Sequence, residues 1–228
     1  MDNFEGAPTM KRTWLTDLLW MLVLLLITAF LVIPHTRQIF IQLTNNHPYG
    51  MGFIKFAILA SMGELLALRL AAGAWKKPDG FVFKVFVWGV IGVLITFMFS
   101  LYSAGVTAIL QPVTPSSGFL SALLIAFLTS ATMNLTFGIV FMAAHRISDA
   151  YIELRLHHKK PSFHDLVQTI DWNAFITFVV GKTIPLFWVP AHTIVFMLPN
   201  YLRVIVAAYL SIALGMILAY SKHRKGTA

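Results

Sequence analysis

Four strongly polar side chains stand inside long apolar runs of this chain: Glu64, Asn134, Lys182 and Arg203. A charge at the centre of a bilayer costs at least ~2.5–3.5 kcal/mol on insertion scales, so such a residue must face protein or water and find a partner. At 1.5 Å of rise per residue, Glu64, Asn134 and Lys182 lie about 12, 13 and 15 Å from the ends of their runs. Arg203 falls near the middle of its own run, so the four are predicted to share one layer. Glu64 and Lys182 match in depth and are expected to pair. Glu64 and Arg69 are five residues apart, roughly 140° around one helix, and are poorly placed to pair. Arg203 is then left as net positive charge, one turn after Pro199, whose ring frees a backbone carbonyl. Two readings stand side by side. One is a polar pathway, tolerant of anions, lined by these four residues; the other is a structural ion pair plus an arginine that caps freed carbonyls.

Other chemistry is hard to place. There is no HExxH spacing, no Gly-rich phosphate loop, no Ser-His-Asp order and no pair of intramembrane carboxylates. His157, His158 and His164 fall in a basic loop and read as solvated rather than metal-binding. No catalytic residue, metal or cofactor is therefore expected, and the chain is not expected to be an enzyme. The absence of cysteine excludes disulfides and thiolate metal sites.

The elements that position these residues follow from composition. Of 228 residues, 58% are hydrophobic and 11% charged, against about 25% charged in soluble domains; mean hydropathy is +0.77. Six runs, roughly 13–33, 51–72, 81–101, 119–143, 172–189 and 193–220, each approach the ~20 residues that a 30 Å hydrocarbon core requires. Unpaired backbone groups are not tolerated in lipid, and the short alternating strands of a barrel are absent, so the runs are predicted to be helices. The fold class is all-α: a polytopic membrane bundle of about six helices forming one domain, 1–228. The first run is too long for a signal h-region, and no small-x-small cleavage site follows in 31–37, so a retained helix is expected.

Charge orients the bundle. Lys11 and Arg12, Lys76 and Lys77, Arg146, Arg155, Lys159 and Lys160, then Lys222, Arg224 and Lys225 cluster in alternate connections. The first loop holds only Arg37; the third and fifth hold no Lys or Arg. Basic loops remain in the cytoplasm, so both termini are predicted inside. Anionic lipid is the expected partner of the basic face, and the +8 net charge needs no nucleic acid to explain it. Lys55 and Arg69 are expected to snorkel outward and inward, and Trp14, Tyr49, Trp75, Tyr102, Trp172 and Tyr220 to form interface belts.

The connections carry their own signals. Residues 35–50 read as a polar loop, Lys76–Gly80 as a turn, and Gln111–Gly118 as a short Pro/Ser turn. Ile147, Ala150, Tyr151 and Leu154 recur at helical spacing, so the fourth helix is expected to continue beyond the bilayer. Ser162 and Asp165 resemble a capping box and start a predicted interfacial helix over 163–170. Pro185, Pro190 and Pro199 interrupt the last fifty residues; the turn is placed at Val189–His192 and a kink near Pro199. Gly63, Ala67 and Ala71 form a small-residue ridge suited to close helix packing.

The segment HPYGMGFIKFAILASMGELLALRLAA, from His47-Pro48 to Ala72 and including Lys55 and Gly63-Glu64, resembles the start of the family founded by the Mpv-seventeen and twenty-two-kilodalton peroxisomal membrane proteins. Glu64 replaces the family's Asp. Trp188, Pro190, Phe196, Leu198-Pro199, Arg203 and Leu210-Ser211 are similar to its C-terminal signature, without the Asn before Phe196, and Tyr102 matches half of its Trp-Tyr pair. Thr129-Ser130 stand where the family has Asp-Gln. The resemblance covers about 46–221 and leaves the first helix as an addition. It implies a small-solute channel or permeability factor of unknown solute, with a secondary transporter or a non-transporting structural membrane protein as alternatives. A bacterial chain would sit in the inner membrane, a eukaryotic one in the mitochondrial inner or peroxisomal membrane. A homo-oligomer is compatible with all of these.

The charge asymmetry makes a direct prediction. In this cysteine-free chain, Lys159→Cys and Ser116→Cys should label from opposite sides of a sealed membrane. Labelling from the same side would overturn the six-span arrangement.

Overall fold

The computed structural model describes residues 13–113, 118–157 and 160–225. Lys11, Arg12, Ser116, His158 and Lys159 lie outside them, as do the side chains of Tyr220, Lys222, Arg224 and Lys225. The described residues are helical throughout, with short connections and no strand. Six helices are long and apolar enough to cross a membrane.

Helix α1 is Thr13–Val32 and α2 is Pro34–Asn46. Next come α3, Pro48–Ala72, and α4, Phe81–Leu110. A long continuous rod follows: α5, Phe119–Met133, passes through a π turn at Asn134–Gly138 into α6, Ile139–Leu156. Short α7, Phe163–Thr169, starts on the Ser162–Asp165 capping box, both halves of which are formed. Another continuous element then comprises α8, Trp172–Ala174, a π-helical stretch Phe175–Trp188, and α9, Val189–Met197. Finally, α10 is Asn200–Lys225.

Two expectations are corrected. Residues 35–50 are not a loop. Pro34 and Pro48 each open a helix at its first position, where a missing N–H is harmless and the fixed φ is already helical. α2 buries Phe40 and Thr44, one turn apart, against the bundle. The chain also does not turn at Val189–His192. That segment is helical, and the break comes at Leu198-Pro199, with Leu198 extended at ψ 158°. The runs 172–189 and 193–220 are thus replaced by 172–197 and 200–225. Pro185 is absorbed by the π stretch, whose i→i+5 pattern widens the helix around it, and Pro190 sits in the first turn of α9, where proline is tolerated.

The end of the bundle holding Lys76, Lys77, Arg155 and Lys160 is called the basic end below, and the opposite one the far end. α3 is the central helix, packed along α4 and α10. Gly73, at φ 70°, ends it in the left-handed conformation that a side chain disfavours. Glycine also sets its distance from both neighbours. A Cβ on Gly92 of α4 would collide with the Gly52 carbonyl and Phe56 Cβ of α3. A Cβ on Gly63 would lie 3.1 Å from the backbone of Ser211 and Ile212, and one on Gly215 would lie 3.0 Å from the Gly63 carbonyl. Thus Gly63 and Ala67 of the predicted ridge pack on α10. Phe56, Leu59 and Ala60 of α3, Phe99 of α4, Val195 of α9 and Ala207, Ala208 and Ile212 of α10 fill the main core.

α1 has no fully buried residue among those described, and exposes Leu18, Leu19, Leu22, Leu25 and Leu26. Its inner face is pinned by polar contacts: Asp17 to Arg69, Trp20 Nε1 donating to the Met62 carbonyl at 3.2 Å, and Thr28 with the Tyr209 hydroxyl at 2.9 Å.

Gly92→Ala should therefore push α3 and α4 apart and lower stability by about 1–3 kcal/mol, the usual cost of overpacking. Gly105→Ala, whose Cβ meets nothing within 4 Å, should be neutral or slightly stabilising. Thermal unfolding in detergent measures both; equal midpoints would show that the contact is not limiting.

Candidate functional site

The polar residues fall into three groups rather than one layer. The first is a cavity of about 560 Å³ at the far end, between α2, α3, α4 and α10. Lys55, Arg203, Thr44, Thr96, Ser100 and Ser103 line it, with Asn45, Gln111, Asn200 and Tyr201 towards the helix ends. No carboxylate is among its lining residues. Parallel packing of α3 and α10 brings the two cations together. Gly63 meets Ser211 and Ile212; Lys55 is eight residues before Gly63 (63 − 55), and Arg203 eight before Ser211 (211 − 203), so they stand at one level.

Lys55 does not snorkel out of the protein. It is 4% exposed, donates from Nζ to Thr44 Oγ1 at 3.0 Å, and lies 4.6 Å from the Phe40 ring centre. An ammonium has three N–H donors; one goes to Thr44, and Lys55 borders the cavity. Arg203 donates from Nε to the Leu198 carbonyl at 2.9 Å and from Nη1 to Ser103 Oγ at 3.1 Å, with Phe196 beneath its guanidinium. It bonds the carbonyl of the residue before Pro199, from the first turn of α10 and not from the middle of a longer helix. The break at Leu198-Pro199 moved it. Helix ends do not set the sign of the cavity: the N-termini of α3 and α10 border it, but so do the C-termini of α2 and α4.

The second group lies towards the basic end. Lys84 Nζ is 2.8 Å from Glu64 Oε1, and Trp88 Nε1 donates to Glu64 Oε2 at 3.0 Å. Asp149 of α6 is 3.8 Å from Lys84 and 3.7 Å from His145 Nε2, and the His145 ring packs on Trp88 with centres 4.4 Å apart. His145 Nδ1 is buried without a hydrogen-bond partner. The expected Glu64–Lys182 pair is thus not formed. The short turn before α4 makes α3 and α4 antiparallel neighbours, which puts Lys84 within reach of Glu64, whereas Lys182 is exposed on the π stretch. Nearby, Asp17 accepts from Arg69 and from Trp75 Nε1, at 2.7 Å from the latter. A smaller cavity of about 270 Å³, bordered by Arg146, Asp149, Glu153 and Asp171, adjoins this end.

The third group is a buried knot. Asn134, in the π turn, donates from Nδ2 to the Ser130 carbonyl at 2.8 Å. That carbonyl only accepts, so the amide orientation is fixed and Oδ1 faces His192 Nδ1, 3.1 Å away. Nδ1 must then carry the proton. Ser130 Oγ donates to the Val189 carbonyl at 2.7 Å, and His192 is packed by Phe99 and Trp188. All partners are internal, so Asn134 ties α5 to α9 and lines neither cavity.

Glu64, Asn134, Lys182 and Arg203 therefore occupy four separate environments. Lys55 and Lys84 are the additions. Among the residues of the family resemblance, His47 and Pro48 form the α2–α3 joint, Gly63 is the α10 contact, and Phe196 lies between Phe99 and Arg203. Trp188 and Pro190 sit where the π stretch passes into α9. Compared with known protein families, curated proteins and solved structures, the chain finds no match.

Glu64→Gln should destabilise by about 1–3 kcal/mol, between the values for exposed and fully buried pairs, since both side chains of the pair are about one-fifth exposed. Adding Lys84→Met should recover part of that loss, whereas adding Lys182→Met should change stability independently. A double-mutant cycle showing coupling to Lys182 instead would overturn the assignment.

Proposed function

We propose that this chain is a multi-pass membrane protein that passes a small solute through the bundle, with the far-end cavity as its outer vestibule. Six apolar helices among the described residues, an exposed leucine face on α1 and basic connections at one end support insertion with the basic end in the cytoplasm. The observation that carries the solute reading is the vestibule itself. In a bundle whose surface is mostly apolar, about 560 Å³ of space is lined by hydroxyls, amides and two cations. That volume is in the range of ligand-binding clefts, and ionisable residues within spanning helices commonly mark solute paths; Lys55 lies more than one turn into α3. The resemblance to the Mpv-seventeen family points the same way.

Packing below the vestibule favours a gated or alternating route over an open pore. One turn deeper on α4 than Thr96, Gly92 touches α3 at Gly52 and Phe56, and Phe99 closes on His192 and Phe196. A secondary transporter is thus the second reading. The long π stretch with Pro185 is the kind of irregular spanning helix such proteins use.

Liposomes containing the purified protein should swell or exchange small solutes faster than protein-free vesicles. Ala104→Trp and Ala108→Trp, which fill the vestibule from α4, should cut that flux at least tenfold while leaving the fold intact. Vesicles as tight as protein-free controls would remove the permeability reading. Saturable flux would select the transporter form.

A further inference from the structure

The vestibule holds two cations at one level and no anion. Among the described residues, the ion pairs involve Arg69, Lys84 and His145, and none reaches Lys55 or Arg203. Lys55 is almost wholly buried, and its ammonium meets one hydroxyl, of Thr44, and one aromatic ring, of Phe40. A buried charge is retained when something compensates it and is otherwise neutralised; no carboxylate does so here, and the open side of the cavity is where an anion can. Arg203 has five N–H donors, of which two are assigned to protein oxygens; a guanidinium suits the two oxygens of a carboxylate or phosphate. Thr107 adds a hydroxyl on the α4 wall, and Asn200 and Gln111 add amides near the mouth, while the Ser100 hydroxyl is given to the Thr96 carbonyl. At the basic end, in contrast, Arg69 and Lys84 are matched by Asp17, Glu64 and Asp149.

We infer that the vestibule is a binding site for a small oxyanion, carboxylate or phosphate, held between the Lys55 ammonium and the Arg203 guanidinium. The inference rests on the vestibule of the reading above, but not on flux through it. Two cations at one level favour a dianion over a monoanion. The cavity is much larger than one oxyanion group, so an organic body with hydroxyls fits beside the charged end.

The test is calorimetric titration of the purified full chain in neutral detergent with succinate, inorganic phosphate, acetate and glycerol. Wild type should bind succinate and phosphate roughly tenfold more tightly than acetate, and glycerol not at all. Lys55→Met should weaken succinate binding tenfold or more, as expected for loss of a charged hydrogen bond. Arg203 also caps Leu198, so Arg203→Gln is paired with Thr107→Glu, which keeps both cations but puts a carboxylate in the cavity; each should lose binding to the same extent. A short-chain phosphatidylglycerol that competes with succinate would identify a lipid headgroup as the source of the oxyanion; lack of competition would identify a free solute, and either result supports the site. Folded wild type that binds no oxyanion, or a Thr107→Glu variant that binds as wild type does, would overturn the inference. Oxyanion binding without liposome flux would remove the permeability reading and leave the site. Flux of neutral solutes without oxyanion binding would do the reverse.

Discussion

The bundle depends on how closely α3 approaches its two neighbours. Gly52 and Gly92 let α3 and α4 touch through backbone, and Gly63 and Gly215 do the same for α3 and α10. Where helices are surrounded by apolar material, burial of more apolar surface drives little association, and close van der Waals contact between small residues takes its place. These contacts also fix register. The Gly63–Ser211 contact sets Lys55 level with Arg203, and the α3–α4 contact brings Lys84 within reach of Glu64. Both polar sites are thus by-products of where glycine lets backbones meet.

The two ends of the bundle treat charge differently. At the basic end, among the described residues, the half-buried cations find carboxylates: Asp17 for Arg69, Glu64 and Asp149 for Lys84. Tryptophan N–H groups add a further donor to two of these carboxylates, Trp75 on Asp17 and Trp88 on Glu64. At the far end, among the described residues, Lys55 and Arg203 meet hydroxyls, one carbonyl and two aromatic rings but no carboxylate. The same helices therefore carry a closed electrostatic network at one end and an open one at the other. The knot of Ser130, Asn134 and His192 lies apart from both and holds α5 to α9.

Much of the fold was legible because apolar run length is a strong signal. The long runs became long helices, and Ser162 with Asp165 marked the start of α7. What failed depended on tertiary register or on competing prolines. Residues 35–46 looked like a loop because their composition is polar, yet Pro34 and Pro48 were already signals of helix starts. Three prolines between residues 185 and 199 compete as the breakpoint. Only the last of them ends a helix, because a π stretch accommodates Pro185 and the first turn of α9 takes Pro190. That error placed Arg203 too deep. Depth-matching then chose Lys182 for Glu64, since depth along separate helices does not reveal which helices are adjacent. Neighbourhood in the hairpin, with Lys84 just beyond the Lys76–Gly80 turn, was the available clue. The burial of Lys55 had no signal in the sequence, because it required knowing that α2 folds back over the cavity.

The polar pins on α1 bear on the order in which the chain is made. In chain order α1 precedes the helices that pin it, and it is long and apolar enough to cross a membrane. Asp17 must wait for Arg69 and Trp75, which arrive only when α3 is finished. Thr28 waits longer still, for Tyr209 in the last helix. Chain order and fastening order thus run opposite to each other: α1, ahead of its partners in the sequence, is fully fastened only once α10 is in place.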